Sequence, residues 1–356
     1  MNILYVVGTR PNFIKMAPVI ARLRERLPDA QHVVVHTGQH YDRAMSEIFL
    51  EELDIPEPDH LLAVGSGPDT LMTARVMERI ADVLAQEQPD LVLVPGDVNS
   101  TLGASLAAAQ ARVPVGHIES GLRSYDPSMP EELNRVLTDR VSDLLFIHSA
   151  EAADNLAREG ITDGVHFVGN TMIDSLVALE PRFRALEAEK AAGVERGGYL
   201  LVTLHRPALV DGPLLPRTIE LLGQVATELP VVFPAHPRTA ARLESIRIPA
   251  RLRITAPVGY LEFLSLQSAA GGVLTDSGGV QEETTFLGVP CFTLRANTER
   301  PVTLTHGTNV LLGLDPEQIP SVLERLGEGP KRPTSPPPLW DGHAAERVAD
   351  VVAGRA

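Results

Sequence analysis

The chain has 356 residues, 44% apolar and 22% charged, with one cysteine and a formal net charge of −15. At roughly 150 residues per domain, that length suggests two domains of ordinary globular composition. The acidity argues against nucleic acid or an anionic membrane as a partner, the lone cysteine excludes a disulfide framework or a cysteine zinc site, and 4% aromatics offer little for stacking single-stranded bases. A small anionic ligand in a local basic pocket stays open.

Met1-Asn2 leads straight into an apolar run at 3–7, with no basic leader and no small-residue cleavage site. No stretch reaches the ~18 unbroken apolar residues of a spanning helix. A cytoplasmic protein is the expectation. Short β-branched runs then alternate with helical patterns, the signature of βαβ units and a parallel sheet. Strands are predicted at 3–7, 32–36, 91–94, 115–118, 144–147 and 166–168, with helices at 11–27, 70–86 and 100–111. Pro11 suits a first helical turn, where its missing N–H costs nothing. A charged helical stretch, 175–195, ends in Gly197-Gly198. A second series begins near Tyr199, with strands predicted at 199–204, 231–233, 252–254, 272–274, 291–294 and 310–312. A Pro-rich loop at 327–339 precedes a final helix at 343–354. The expected architecture is α/β, with two Rossmann-like domains. Residues 1–174 form the first, with 343–356 packing back on it, and residues 175–342 form the second.

In such folds ligands bind beyond the C-terminal ends of the strands, and the candidate motifs fall there. Gly8-Thr9-Arg10-Pro11 follows the first strand, and Lys15 lies one turn into the helix. A turn glycine, a helix N-terminus and two cations suit an anion. The pattern is neither G-x-G-x-x-G nor a Walker loop, so no dinucleotide cofactor is indicated. Asp97, after Gly96, is an acid, a base or a helix N-cap. His117-Ile118-Glu119-Ser120-Gly121-Leu122-Arg123 ends another strand, and taken alone Glu119 and Arg123 read as a surface ion pair. Pro130-Glu131-Glu132-Leu133-Asn134-Arg135 opens a helix, where acidic residues also complement the dipole. Converging carboxylates separate each other's pKa values, which makes acid and base roles possible.

In the second half, His205-Arg206 and Pro234-Ala235-His236-Pro237-Arg238 follow strands. Asp276-Ser277-Gly278-Gly279-Val280-Gln281-Glu282-Glu283 joins a strand end to a helix start, and its backbone N–H groups suit a phosphate. Glu283 can accept from a ribose diol. Arg295-Ala296-Asn297-Thr298-Glu299-Arg300-Pro301 is a further loop, whose arginines serve a diphosphate or simply pair with Glu299 at the surface. Cys291 reads as a buried, inert thiol. The histidines lack ligand spacing, so no metal is expected.

Taken in order, with Thr37-Gly38-Gln39-His40 added, these motifs resemble the non-hydrolysing UDP-N-acetylglucosamine 2-epimerases over residues 2 to about 353. The resemblance implies a glycosyltransferase-B-like fold with its active site in the interdomain cleft, a UDP-sugar substrate, no cofactor and a homodimer. It implies interconversion of UDP-GlcNAc and UDP-ManNAc. UDP is eliminated across C1–C2 to give 2-acetamidoglucal, then added back as a proton returns to the other face of C2. Asp97, Glu119 and Glu131 match the family's catalytic carboxylates and His205 its site histidine. Arg10, Lys15, Arg135, His236, Phe263, Ser277, Gly278, Glu283, Arg295 and Arg300 fall on substrate- or UDP-binding positions. Of these, Arg10, Lys15, Arg135, Arg295 and Arg300 form a cationic clamp for the diphosphate. The alternatives are a 2-epimerase of a modified sugar, such as UDP-2,3-diacetamido-2,3-dideoxyglucuronate, a UDP-sugar glycosyltransferase, a hydrolysing epimerase or a non-catalytic binder. Two departures from the family pattern stand out. His205-Arg206-Pro207-Ala208-Leu209 replaces His-Arg-x-Glu-Asn. Gln39-His40-Tyr41-Asp42 replaces the Gln-x-x-Gln tied to substrate activation, so strong activation is not expected.

Overall fold

The computed structural model describes residues 1–38, 52–53, 55, 57–329 and 336–355. Gln39-His40-Tyr41-Asp42 and part of the Pro-rich loop lie outside them. The chain divides into two compact units, Met1–Ala178 with Pro338–Ala356, and Leu179–Pro337.

In the first unit, strands β1 (Asn2–Val7), β2 (Gln31–His36), β3 (His60–Leu61), β4 (Leu91–Pro95), β5 (Val115–Ile118), β6 (Leu144–Ile147) and β7 (Val165–Phe167) form one parallel sheet of order β3-β2-β1-β4-β5-β6-β7. Helices α1 (Arg10–Arg26), α2 (Asp69–Glu87), α3 (Asn99–Gln110), α4 (Pro130–Val141), α5 (Ala150–Arg158) and α6 (Thr171–Ala185) connect or follow these strands. Parallel sheets are covered on both faces, which explains why 3–7 is continuously apolar: Ile3 through Val7 are all at most 1% exposed. One face packs Leu4, Val6, Val33 and Val92 against Val76, Ile80 and Ala104 of α2 and α3. The terminal helix, Ala344–Ala353, belongs to this unit. Its first N–H groups, on Ala344 and Ala345, donate to Asp174 at 3.1 and 2.6 Å, which satisfies two of the orphan donors of a helix start.

The second unit has helices α7 (Ala188–Ala191), α8 (Pro207–Val210), α9 (Leu214–Val225), α10 (Pro237–Leu243), α11 (Tyr260–Ala269), α12 (Gly278–Leu287), α13 (Val302–Thr305) and α14 (Ser321–Gly327). Strands β8 (Leu200–Thr203), β9 (Val231–Pro234), β10 (Arg253–Thr255), β11 (Gly272–Thr275), β12 (Cys291–Thr293) and β13 (Asn309–Leu311) form a parallel sheet of order β10-β9-β8-β11-β12-β13. The period of two is visible in the packing. Leu200 and Val202 meet Ile219 and Leu222 of α9, while Leu201 meets Leu266 and Ala269 of α11 on the other face.

Three expectations need correction. The helical stretch at 175–195 is not continuous: α6 ends at Ala185 and α7 starts at Ala188, because Glu187 adopts a left-handed φ of +45°. β3 has only two residues, too few for a periodic signal, and was not foreseen. Asp97 does not cap a helix, since α3 starts at Asn99 with Val98 at its cap.

Both sheets run outward in sequence order from a central pair, β1/β4 in one unit and β8/β11 in the other. That reversal is the switch point at which doubly wound sheets bind ligands. The loops after these four strands carry Arg10, Asp97, His205 and Ser277.

Candidate active site

In the first unit, three loop ends meet at the β1/β4 switch point. Asn12, in the first turn of α1, accepts from the Gly8 and Thr9 N–H groups at 3.1 and 3.2 Å and donates to Pro95 O at 3.1 Å. This ties the loop after β1 to the loop after β4. Lys15 lies one turn further along α1 and forms an ion pair with Glu119, both 7% exposed. Glu119 leaves β5 with a φ of +69°, a conformation that costs a non-glycine residue about 1–3 kcal/mol. The Glu119 and Ser120 N–H groups both donate to Phe146 O at 3.1 Å, which holds the turn. Gly96 has a φ of +66°, and a Cβ there would stand 3.2 Å from Lys15 Nζ and 3.5 Å from Glu119 Oε2. The Gly96-Asp97 turn therefore lies against the Lys15–Glu119 pair.

Asp97 forms an ion pair with buried Arg135 of α4, and Arg135 Nη1 donates to Glu132 at 2.9 Å. Glu132 also accepts the Ser124 and Tyr125 N–H groups at 2.8 and 2.9 Å, a structural role. Its neighbour Glu131 is half-buried, and its carboxylate makes no hydrogen bond or ion pair with the described residues. Arg10 opens α1 and is exposed. Arg123 does not pair with Glu119. It is 4% exposed, donates to Asp139 at 2.7 Å and grips Glu159 with two bonds of 2.6 Å. The left-handed turn at Glu119 accompanies this divergence of the two side chains to different partners.

In the second unit, the chain leaving β8 turns at His205 over the end of β11. Asp276, fully buried, accepts the His205 N–H at 2.9 Å and the Arg206 N–H at 2.8 Å, and its Oδ1 lies 3.1 Å from His205 Nδ1. Burial works against the charge on Asp276. The His205 contact and the two backbone donors outweigh it, and the carboxyl titrates below its ordinary range. Of the residues that replace the family's Glu and Asn, Ala208 is exposed and Leu209 is 0% exposed in the core, while Pro207 before them opens α8. Asp276 is the positioning group for His205 that motif reading missed, because 71 residues separate the pair. The ring of His236, the N-cap of α10, lies 5.7 Å from that of His205.

Ser277 caps α12, and its hydroxyl makes no capping bond. As at any helix start, the first N–H groups of α12 have no intrahelical partner. Gly278 is required by close approach, since a Cβ there would meet Arg300 Nη1 at 2.4 Å and Cζ at 2.8 Å. Arg300 pairs with Glu299, and its Nε lies 3.0 Å from Glu282 Oε2. Arg295 donates to Glu299 at 2.7 Å. The loop is thus a buried cluster, not a surface pair. Burial, partly offset by Glu299, pulls the Arg295 guanidinium below its ordinary value. Glu283 accepts from Tyr260 Oη at 2.9 Å, and the Gln267 amide completes its bonding at 3.0 Å. Phe263 is half-buried on α11, packed into the core cluster around Leu266 and Val273. Cys291 is fully buried, and its thiol is pushed up to about 12.

Two parallel doubly wound sheets, each with polar residues clustered at its switch point, define an α/β protein with two Rossmann-like domains of the glycosyltransferase-B-like class. At full length the chain superimposes on the crystal structure of Methanocaldococcus jannaschii UDP-GlcNAc 2-epimerase in complex with UDP-GlcNAc and UDP, with a TM-score of 0.90 at 38% identity, covering 99% of this chain and 100% of that one. The chain belongs to the UDP-N-acetylglucosamine 2-epimerase family, whose model matches residues 22–353. The UDP-N-acetylglucosamine 2-epimerase of Methanococcus maripaludis is 40% identical over 98% of this chain and 97% of its own length. The UDP-2,3-diacetamido-2,3-dideoxy-D-glucuronate 2-epimerase of Pseudomonas aeruginosa is 44% identical over 90% of each chain.

Proposed function

We propose that this protein is a non-hydrolysing 2-epimerase that interconverts UDP-GlcNAc and UDP-ManNAc. The observation that carries the reading is the pair of carboxylates at one switch point, Asp97 and Glu119, each held by a buried cation. C2 of the sugar has no adjacent carbonyl to acidify its proton. A route that leaves the configuration free to change is loss of the C2 proton together with UDP from C1, giving 2-acetamidoglucal. Re-addition of UDP and return of a proton to the opposite face of C2 complete the epimerisation. Asp97, Glu119 and Glu131 are the candidate acid and base groups, and Lys15 and Arg135 position two of them. In this reading Arg295 and Arg300, themselves braced by Glu299 and Glu282, act with the start of α12 to stabilise the departing diphosphate. Arg10 also faces the substrate in this reading. Ser277 and Gly278 frame the diphosphate, Glu283 takes the ribose diol, and Phe263 and His236 line the nucleotide side. His205 is fixed by Asp276 for a role at the reacting centre.

A second reading, a 2-epimerase for a diacetamido uronate sugar, is favoured by the 44% identical relative. It needs a cation for the C6 carboxylate. Offering each UDP-sugar separately and following product by NMR decides between them. UDP-GlcNAc converting to a UDP-GlcNAc/UDP-ManNAc mixture supports the first reading. Turnover of the uronate alone supports the second, and turnover of neither refutes both. The proposal extends to a homodimer and a cytoplasmic location, as the family resemblance suggests. Light scattering of the purified protein and cell fractionation test these. No helix among the described residues is long and apolar enough to cross a membrane.

A further inference from the structure

Pro95 is the last residue of β4, and the chain turns away from the sheet at Gly96-Asp97. Side chains hold the carbonyls of this turn. Pro95 O accepts from Asn12 at 3.1 Å and Thr101 at 2.7 Å, and Asp97 O accepts from Asn134 at 2.9 Å. The middle carbonyl, Gly96 O, lies 2.7 Å from His117 Nε2, while Gly96 N donates to Ile118 O at 2.9 Å. His117 is 0% exposed, and its other nitrogen lies 2.7 Å from Asp139 Oδ1. Gly96 O is only an acceptor. Asp139 Oδ2 already receives Arg123 at 2.7 Å and the Gly121 N–H at 3.1 Å. Burial opposes the charge on Asp139, but the bonds and charges of His117 and Arg123 hold its carboxyl below the usual range. Since Gly96 O can only accept, Nε2 of His117 donates to the turn, while Nδ1 faces a carboxylate anchored on α4, so the ring bridges the two.

We propose that His117 is a positioning residue, clamping the Gly96-Asp97 turn so that the Asp97 carboxylate keeps its working geometry. It touches neither substrate nor reacting atoms and acts through Asp97. The inference rests on the epimerase reading of Asp97. An anchor that sets one carboxylate matters because a misplacement of about 1 Å at a reacting group can cost about 10²-fold in rate.

The test is a double-mutant cycle with His117→Phe and Asp97→Asn, read as kcat, KM for UDP-GlcNAc and Kd for UDP. Phenylalanine keeps a ring in the site and removes both bonds. We expect His117→Phe to lower kcat about 10²-fold while KM and the UDP Kd stay within about threefold. The double variant should turn over within about threefold of Asp97→Asn alone, because both changes act through one carboxylate. His117→Gln, whose amide restores a donor towards Gly96, should regain a large part of the lost rate. Melting curves report folding, and if the phenylalanine variant does not fold, His117→Leu, which also removes both bonds, carries the same cycle. A wild-type rate in the variant that removes both bonds, no gain of rate in His117→Gln over it, or full multiplication of the two losses in the cycle overturns the inference. A wild-type rate in Asp97→Asn alone overturns the catalytic reading of Asp97, a separate and recognisable failure that removes the basis for the inference as well.

Discussion

Replacing Asp276 with asparagine perturbs one buried carboxylate that organises the turn carrying His205. Asp276 accepts two backbone N–H groups, at 2.9 and 2.8 Å, and faces His205 Nδ1 at 3.1 Å. An amide oxygen in the Oδ2 position can keep both backbone N–H groups, but the carboxylate charge is lost and an NH2 then faces His205 Nδ1. Charge-assisted bonds are worth about 1.5–3 kcal/mol against about 0.5–1.5 for neutral ones, so over these contacts we expect a loss of about 2–4 kcal/mol. For a 356-residue chain that unfolds as one, with an unfolding entropy of about 2.1 cal/mol/K per residue, that lowers Tm by roughly 3–5 °C. The pH dependence has a definite sign. The folded carboxyl titrates below its ordinary value of 3.8, so its stabilisation is present above about pH 4 and is lost as pH falls through the lowered folded value. The stability gap between wild type and variant should therefore close on acidification below pH 4. The same change frees His205 Nδ1, so kcat should fall about 10²-fold or more while UDP affinity changes little. Thermal melts from pH 3 to 7, titration with UDP and steady-state kinetics provide the readout. A folded variant with near-normal kcat, or a stability gap that stays constant over that range, would refute the reasoning.

Asp97→Asn and Glu119→Gln should each reduce turnover by about 10²-fold or more, as expected for lost acid–base groups, whereas near-normal rates would make both carboxylates structural. Gly278→Ala places a methyl 2.4 Å from an Arg300 guanidinium held by Glu299 and Glu282. UDP affinity measured by calorimetry should weaken by about tenfold or more as that cluster shifts. Cys291 is fully buried with its thiol near 12, so incubating the native enzyme with iodoacetamide at pH 8 should leave activity intact and add no carbamidomethyl mass.

The alternation of strands and helices was legible because both sheets are parallel and covered on both faces, which makes their strands short apolar runs such as 3–7 and 91–94. Loop motifs could be placed because they follow those runs directly. What composition and spacing did not reveal are partnerships across long sequence separations. His117 meets Asp139 22 residues on, and His205 meets Asp276 71 residues on. Neither pairing leaves a periodic trace. The proximity of Glu119 and Arg123 in sequence was misleading for the complementary reason: the backbone is left-handed at Glu119, and the two side chains take different partners. The altered residues after His205 suggested a weakened site, but Leu209 entered the core while Asp276 held the histidine from another loop.

In the proposed reaction C2 loses its proton while UDP departs and regains one from solvent. Incubating the protein with UDP-GlcNAc in deuterated water and examining C2 by NMR follows that proton. Deuterium should appear at C2 in the UDP-ManNAc formed and, with time, in recovered UDP-GlcNAc. UDP-ManNAc that forms with its C2 hydrogen retained, or no exchange and no product under any condition, would contradict the proposed reaction.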